Sequence, residues 1–432
     1  MRLRPLNGLF FGPELAMAPQ PDMTMTAAAN ATDFLVDDRL ARRNAVLLAI
    51  AQALGGASAS IVIASASLVG ASLLGADKSL ATLPVSSFVL GTAFGTLPAG
   101  AIMHRFGRRA GFVGSAMLGI LSGLVSAYAI FQADFILFCL AVMASGFVSA
   151  FVQQYRFAAA DTASDAFRPK AISFVLAGGV AAGIIGPQTV INTADLFDPI
   201  MFAGTYIAQA GLALISLVIL AFISIPRPAR GPVAAGASRP LRQIMVQPRF
   251  IVAAACGITS YALMSLVMTA TPLAMIGCGL TQTDAAHAIQ WHVLAMFGPS
   301  FFTGHLIARF GRERIVAVGL ALLAGCAVVA LAGVNVANFW IALVLLGLGW
   351  NFGFIGATAM LTDVYRPAER NKVQAVNDFL VFGFVAAASF SSGALLHTFG
   401  WATVNWLVFP FTLLCVILLA WLVLSERSAS RV

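Results

Sequence analysis

The chain has 432 residues, 60% of them hydrophobic and 10% charged, with a formal net charge of +8. A soluble domain carries about a quarter charged residues, so the composition excludes a water-soluble globule and indicates a polytopic membrane protein. The positive charge does not indicate a nucleic-acid partner, because the basic residues fall in short clusters between apolar runs and build no continuous face.

Residues 1–44 are polar, contain proline and turn acidic at Asp33, Asp37 and Asp38, which reads as a cytoplasmic N-terminal tail. Apolar runs then predict twelve helices. Six spans near 45–70, 81–103, 110–130, 134–158, 171–194 and 201–224 make an N-terminal bundle over 45–224. A stretch rich in Pro, Gly and Arg over 225–248 reads as a cytoplasmic linker. Spans near 249–274, 285–308, 313–333, 336–361, 372–398 and 401–424 make a second bundle over 249–424, and 425–432 reads as a cytoplasmic C-terminal tail. Each span is long enough to cross a core of ~30 Å at ~1.5 Å per residue.

Orientation follows from charge. Of the 25 lysines and arginines, all but Lys78 fall in the tails, in alternate loops or at the span ends beside those loops. The positive-inside rule therefore places both termini in the cytoplasm. Arginine outnumbers lysine 22 to 3, a bias of GC-rich bacterial genomes, so the expected location is a bacterial inner membrane. Cys139, Cys256, Cys278, Cys326 and Cys415 show no C-x-x-C spacing and read as small hydrophobes. His287 and His292 are five apart, off a common helical face, so no metal site is expected. Motifs for ATP or peptide hydrolysis are absent from the sequence, and neither an enzyme nor a cofactor is expected.

Two motifs repeat. Gly100…Arg105-Phe106-Gly107-Arg108 returns as Gly304…Arg309-Phe310-Gly311-Arg312, each between the second and third span of its bundle. Asp165-Ala-Phe-Arg168-Pro169 returns as Asp363-Val-Tyr-Arg366-Pro367, each after the fourth span. Duplicated six-helix units are a build of secondary transporters. Gly100-Ala-Ile-Met-His104-Arg105-Phe-Gly107-Arg108-Arg109 resembles the G-x-x-x-D-R-x-G-R-R loop of the major facilitator superfamily, with His104 in place of the aspartate, and the resemblance extends over about 45–424. It implies an all-α membrane protein of twelve transmembrane helices in two pseudo-symmetric six-helix halves. It also implies ion pairs that hold neighbouring helices when the cytoplasmic side is closed: Arg105 and Arg109 with Asp165, Arg309 and Arg312 with Asp363, extended by Arg168 and Arg366. The alternative is that these charges serve only as topology signals. His104 either faces Asp378 as a protonation-sensitive latch or is a tolerated interfacial histidine. The drug-efflux branch of the family carries an arginine in the fourth helix where this chain has Val142.

Polar side chains at membrane depth cost free energy unless paired or used. Gln52, Gln153, Tyr155, Arg156, Tyr261, Gln290, Trp350 and Asn351 are the candidates for solute contact. Arg156 has a second reading as a snorkelling anchor. Asp378, about 9 Å inside Lys372 by helical rise, is a candidate for inner-gate pairing or proton carrying. Trp350 with Asn351 suits a neutral or amphipathic organic solute. The expected function is a secondary active transporter that moves a small organic molecule by alternating access with proton coupling, working in the lipid bilayer as a monomer. The alternatives are an uncoupled facilitator and a transport-inactive receptor or scaffold.

Overall fold

A computed structural model describes residues 38–161, 163–164, 167–225, 239–366 and 369–429. The first half contains α1 (Asp38–Leu73), α2 (Leu83–Phe106), α3 (Arg108–Phe131), α4 (Phe135–Val152), α5 (Tyr155–Ala160), α6 (Arg168–Thr193) and α7 (Ala203–Ala221). The second contains the short α8 (Leu241–Met245), then α9 (Pro248–Gly277), α10 (Gln282–Phe297), α11 (Ser300–Phe310), α12 (Arg312–Ala332), α13 (Val336–Leu361), α14 (Arg370–Trp406) and α15 (Val408–Ala429). The first helix thus begins within the stretch assigned to the tail, and the last runs on to Ala429.

Ten segments among the described residues are long and apolar enough to cross a membrane. Two features reconcile them with the predicted twelve spans. The run from Lys372 to Glu426 holds two crossings divided at Gly400, whose φ of 79° no helix tolerates. The eighth crossing is divided between α10 and α11, each too short by itself. The protein is an all-α membrane protein with the twelve-helix fold implied by its repeat.

That repeat is visible in backbone angles. Gly107 adopts φ 90° and ψ 158°, and Gly311 adopts φ 89° and ψ 155°. Each donates its N–H at 2.9 Å to the carbonyl four residues earlier, Met103 or Ile307. A positive φ of this size is why both copies of the basic turn contain glycine. At the opposite end Asp134 caps α4 by accepting from Leu137 N–H at 2.9 Å, and Asn335 caps α13 by accepting from Asn338 N–H at 3.0 Å.

The arginine-rich turns define a basic end of the bundle, and the halves meet at the other, far end. There Gln188 Nε2 donates to Gln290 Oε1 at 2.9 Å, Ser86 Oγ donates to Ser389 Oγ at 3.2 Å, and Gly393 N–H donates to Thr82 Oγ1 at 3.2 Å. Gly183 of α6 lets α10 approach so closely that an added Cβ would lie 2.7 Å from Val293. Towards the basic end the same crossing parts. A cleft of about 430 Å³ opens there, lined by Lys170, Ser173, Phe174 and Ala177 of α6 and by Phe301 of α11.

Candidate solute cavity

The break between α10 and α11 falls at Phe297-Gly298-Pro299. Because α10 ends at Phe297, the Met296 carbonyl lies in its last turn and has no partner within the helix, so it needs another donor. Asn351 of α13 supplies it, donating from Nδ2 to the Met296 carbonyl at 2.7 Å and to Ser300 Oγ at 2.8 Å. Its Oδ1 accepts from Thr303 Oγ1 at 2.6 Å. Asn351 is fully buried and fully used, so it splints the broken helix and does not line a cavity, contrary to the sequence expectation.

Its neighbour Trp350 belongs to an aromatic group drawn from four helices. Trp350 and Phe354 of α13 stack at 5.4 Å with an interplanar angle of 19°. Tyr261 of α9 stands edge-on to Trp350 at 5.3 Å, to Phe354 at 5.1 Å and to Phe382 of α14 at 5.8 Å. Phe297, at the broken end of α10, reaches Trp350 at 6.2 Å. Trp350 is 7% exposed, and its indole Nε1 has no hydrogen-bond partner among the described residues. A buried donor left unpaired is costly.

The first half faces this group with a charge. The fourth crossing bends where α4 stops at Val152 and α5 starts at Tyr155. Past the bend Tyr155 turns into the core of the first half, edge-on to Phe112 at 4.7 Å, and is 2% exposed. Tyr155 is therefore a packing residue and not the solute contact expected of it. Arg156 points the other way, is accessible, and lies within electrostatic reach of Asp378 on α14 and of Tyr261. Asp378 is exposed too, its one described hydrogen bond being a long 3.4 Å from Asn377 Nδ2. Arg156 and Asp378 form no ion pair within 4 Å among the described residues. The geometry thus brings together Arg156, Tyr261, Trp350 and Asp378 from the sequence candidates and adds Phe354 and Phe382, which a run of apolar residues does not distinguish from lipid-facing phenylalanines.

The remaining candidates lie elsewhere. Gln290 is engaged with Gln188 in the far-end contact. Gln52 is half-buried against Gly56 and Gly178, and Gln153 is exposed at the bend. Asp165 and the side chains of His104 and Arg168 lie outside the described residues, so the expected latch and the pairs to Asp165 have no geometry here.

The basic turns make ion pairs within each half. Arg312 pairs with Asp363, as the motif implied. Arg309 instead lies over the Phe310 ring at 5.3 Å, as Arg105 lies over Phe106 at 5.4 Å. In the first half Arg108, not Arg105 or Arg109, makes the described pair, and its partner is Asp161. Arg249 at the start of α9 was not foreseen; it contacts Glu313 at 2.6 Å, Asp363 at 3.0 Å and Glu426 at 2.7 Å, joining four crossings. These pairs coexist with a parted basic end. They brace each half internally.

Glu369 was also missed. It is fully buried and accepts from Arg239 N and Nε at 2.9 Å each, from Arg239 Nη2 at 2.7 Å and from Arg366 N–H at 2.9 Å. Arg239 Nη2 also donates to the Val364 carbonyl at 2.9 Å, and Lys372 donates to the Arg239 carbonyl. The Arg239 guanidinium foremost, helped by the backbone amides, holds the Glu369 carboxyl well below the usual glutamate range, against the opposing effect of burial. A carboxylate so depressed stabilises the fold above its unfolded pKa of about 4.3. That stabilisation is lost only as pH falls through the lower folded value. Glu369→Gln is therefore expected to melt below the parent protein, with the difference constant from pH 8 to pH 5 and shrinking in stronger acid. Melting curves of the pair across that range check it.

Comparison with known proteins agrees with this architecture. The sequence profile of the Major Facilitator Superfamily matches residues 48–298 and 253–432. The chain is 52% identical over 384 residues to the "Riboflavin transporter RfnT" of Brucella anthropi, covering 89% of this chain and 96% of that protein. It is 30% identical to the "Uncharacterized MFS-type transporter YddS" of Bacillus subtilis and 31% identical to "YdeG" of the same organism, each over 83% of this chain and 86% of the relative.

Proposed function

The chain belongs to the major facilitator superfamily and is a multi-pass membrane transporter of a small molecule, and on that premise we propose that it moves riboflavin across the membrane by alternating access, with proton coupling. The observation that carries this reading is the aromatic group of Tyr261, Trp350, Phe354 and Phe382, gathered with Asp378 in the second half and facing Arg156 of the first. Riboflavin offers a flat three-ring system for aromatic contact, carbonyls at one edge for the unpaired Trp350 Nε1, and a polyol tail for the charged pair. The 52% identity to a protein named for riboflavin transport supports the same solute.

The basic end is taken as cytoplasmic by the positive-inside rule, which makes the conformation described here inward-facing: joined outside by Gln188–Gln290 and Ser86–Ser389, parted inside around the Lys170–Phe301 cleft. Asp378 is the group assigned to carry the proton, and the bacterial inner membrane is the assigned location, with the protein acting as a monomer. Reconstituted protein is expected to accumulate riboflavin saturably in proteoliposomes and faster with an imposed pH gradient. If riboflavin does not move, this reading is wrong. If it moves equally with and without the gradient, coupling through Asp378 is wrong and the uncoupled facilitator stands.

The outer contact gives a second test. Gly183→Leu is expected to wedge α6 from α10 at Val293 and shift the population towards the outward-facing state. Ser86→Cys reports this, since Ser86 is 1% exposed while the outer contact holds. In a Cys278→Ser background, which removes the exposed native thiol, an impermeant maleimide should label Ser86→Cys slowly in intact cells, and severalfold faster once Gly183→Leu is added.

A further inference from the structure

Arg156 and Asp378 come from opposite halves, both are accessible, and each feels the charge of the other without closing an ion pair. Their hydrogen-bonding capacities are complementary: a guanidinium only donates, and an ionised carboxylate only accepts. We propose that the two together read the polyol tail of the solute, and that Asp378 bars the phosphorylated form of the same solute. The inference rests on the riboflavin reading above.

A hydroxyl donates and accepts at once, so a row of hydroxyls between these side chains satisfies both. A phosphate monoester carries about −1.5 to −2 charge near neutrality and its oxygens chiefly accept. It would gain at Arg156 and meet a like charge at Asp378, which has acceptor capacity to spare because Asn377 donates to it only at 3.4 Å. The route to the site would not exclude an anion by itself. Lys170 lines the cleft towards the basic end, so the field there favours negative solutes. Discrimination has to act deeper, and Asp378 is the carboxylate that stands opposite Arg156 there. The ring end of the solute gives no such discrimination, because Tyr261, Trp350 and Phe354 meet the same ring in both forms.

The test is equilibrium binding to the full chain in lipid nanodiscs, read by quenching of flavin fluorescence, with riboflavin and riboflavin 5′-phosphate as the two probes. The parent protein is expected to bind riboflavin and to bind the phosphate at least thirtyfold more weakly. Asp378→Asn should weaken riboflavin severalfold and lower the ratio of the two Kd values at least tenfold. Should that variant fail to fold, Asp378→Ser is expected to move the ratio in the same direction. Arg156→Gln should weaken both probes and raise the ratio. A ratio within twofold of the parent value in the Asp378 variants overturns the inference while leaving the riboflavin reading standing. Equal binding of the two probes by the parent protein overturns it as well. A parent protein that binds neither flavin overturns both.

Discussion

Trp350→Ala is expected to lower riboflavin affinity by about 5- to 150-fold, the equivalent of the ~1–3 kcal/mol that one aromatic stacking partner contributes. Trp350 carries this much because its ring face is continued by Phe354 at 5.4 Å and buttressed edge-on by Tyr261 at 5.3 Å. Trp350→Phe separates face from edge. It keeps a ring and loses the Nε1 donor, which has no partner among the described residues whose loss could confuse the result. One neutral hydrogen bond is worth ~0.5–1.5 kcal/mol, so the phenylalanine variant should bind about 2- to 12-fold more weakly. The alanine variant also removes packing against Phe297 and Phe354 and is expected to lose about 3–5 kcal/mol of stability. Melting temperature and monodispersity must therefore accompany each titration. A folded Trp350→Ala protein with parental affinity would place the solute elsewhere in the bundle.

Gly146→Val is expected to abolish accumulation of folded protein. Gly146 of α4 and Gly91 of α2 sit at one helix crossing, where an added Cβ on Gly146 would strike the backbone carbonyl of Phe88 and one on Gly91 that of Met143. Backbone cannot rotate out of the way as a side chain can, so the cost should exceed the ~1–3 kcal/mol typical of overpacking. Gly114→Val is the matched control, since nothing lies within 4 Å of a Cβ there. Size-exclusion profiles of fluorescently tagged variants should show a folded peak for Gly114→Val and none for Gly146→Val. A normal peak for both would mean that α2 and α4 do not approach as described.

Much of the architecture was legible because it is written in residues with few conformational alternatives. The two basic turns each need a glycine at positive φ, and the matching sequence at 107 and 311 folds into matching angles. Gly91 and Gly123 stand at close approaches as well, to Met143 and to Tyr206, whose carbonyl would lie 2.8 Å from a Cβ on Gly123. The cavity was less legible. A crossing that is apolar on every side has no polar stripe to orient it, so the sequence could not say that Tyr155 faces the core while Arg156 faces the opposite half. Trp350 and Asn351 are neighbours in sequence, yet adjacent residues point about 100° apart on a helix, and only Trp350 reaches the aromatic group. Phe297-Gly298-Pro299 signalled a break that the hydropathy of the eighth span concealed. Glu369 and Arg239 lie 130 positions apart, and no local pattern pairs them.

The Arg239–Glu369 contact has a mechanical consequence. It ties the chain just ahead of α8 to the connection between α13 and α14, because one guanidinium grips both the Val364 carbonyl and the Glu369 carboxylate. The approach to the second half and the exit from its fourth crossing are thereby held as one piece, and cutting the knot at Glu369 would let the two segments part independently of any contact in the solute path.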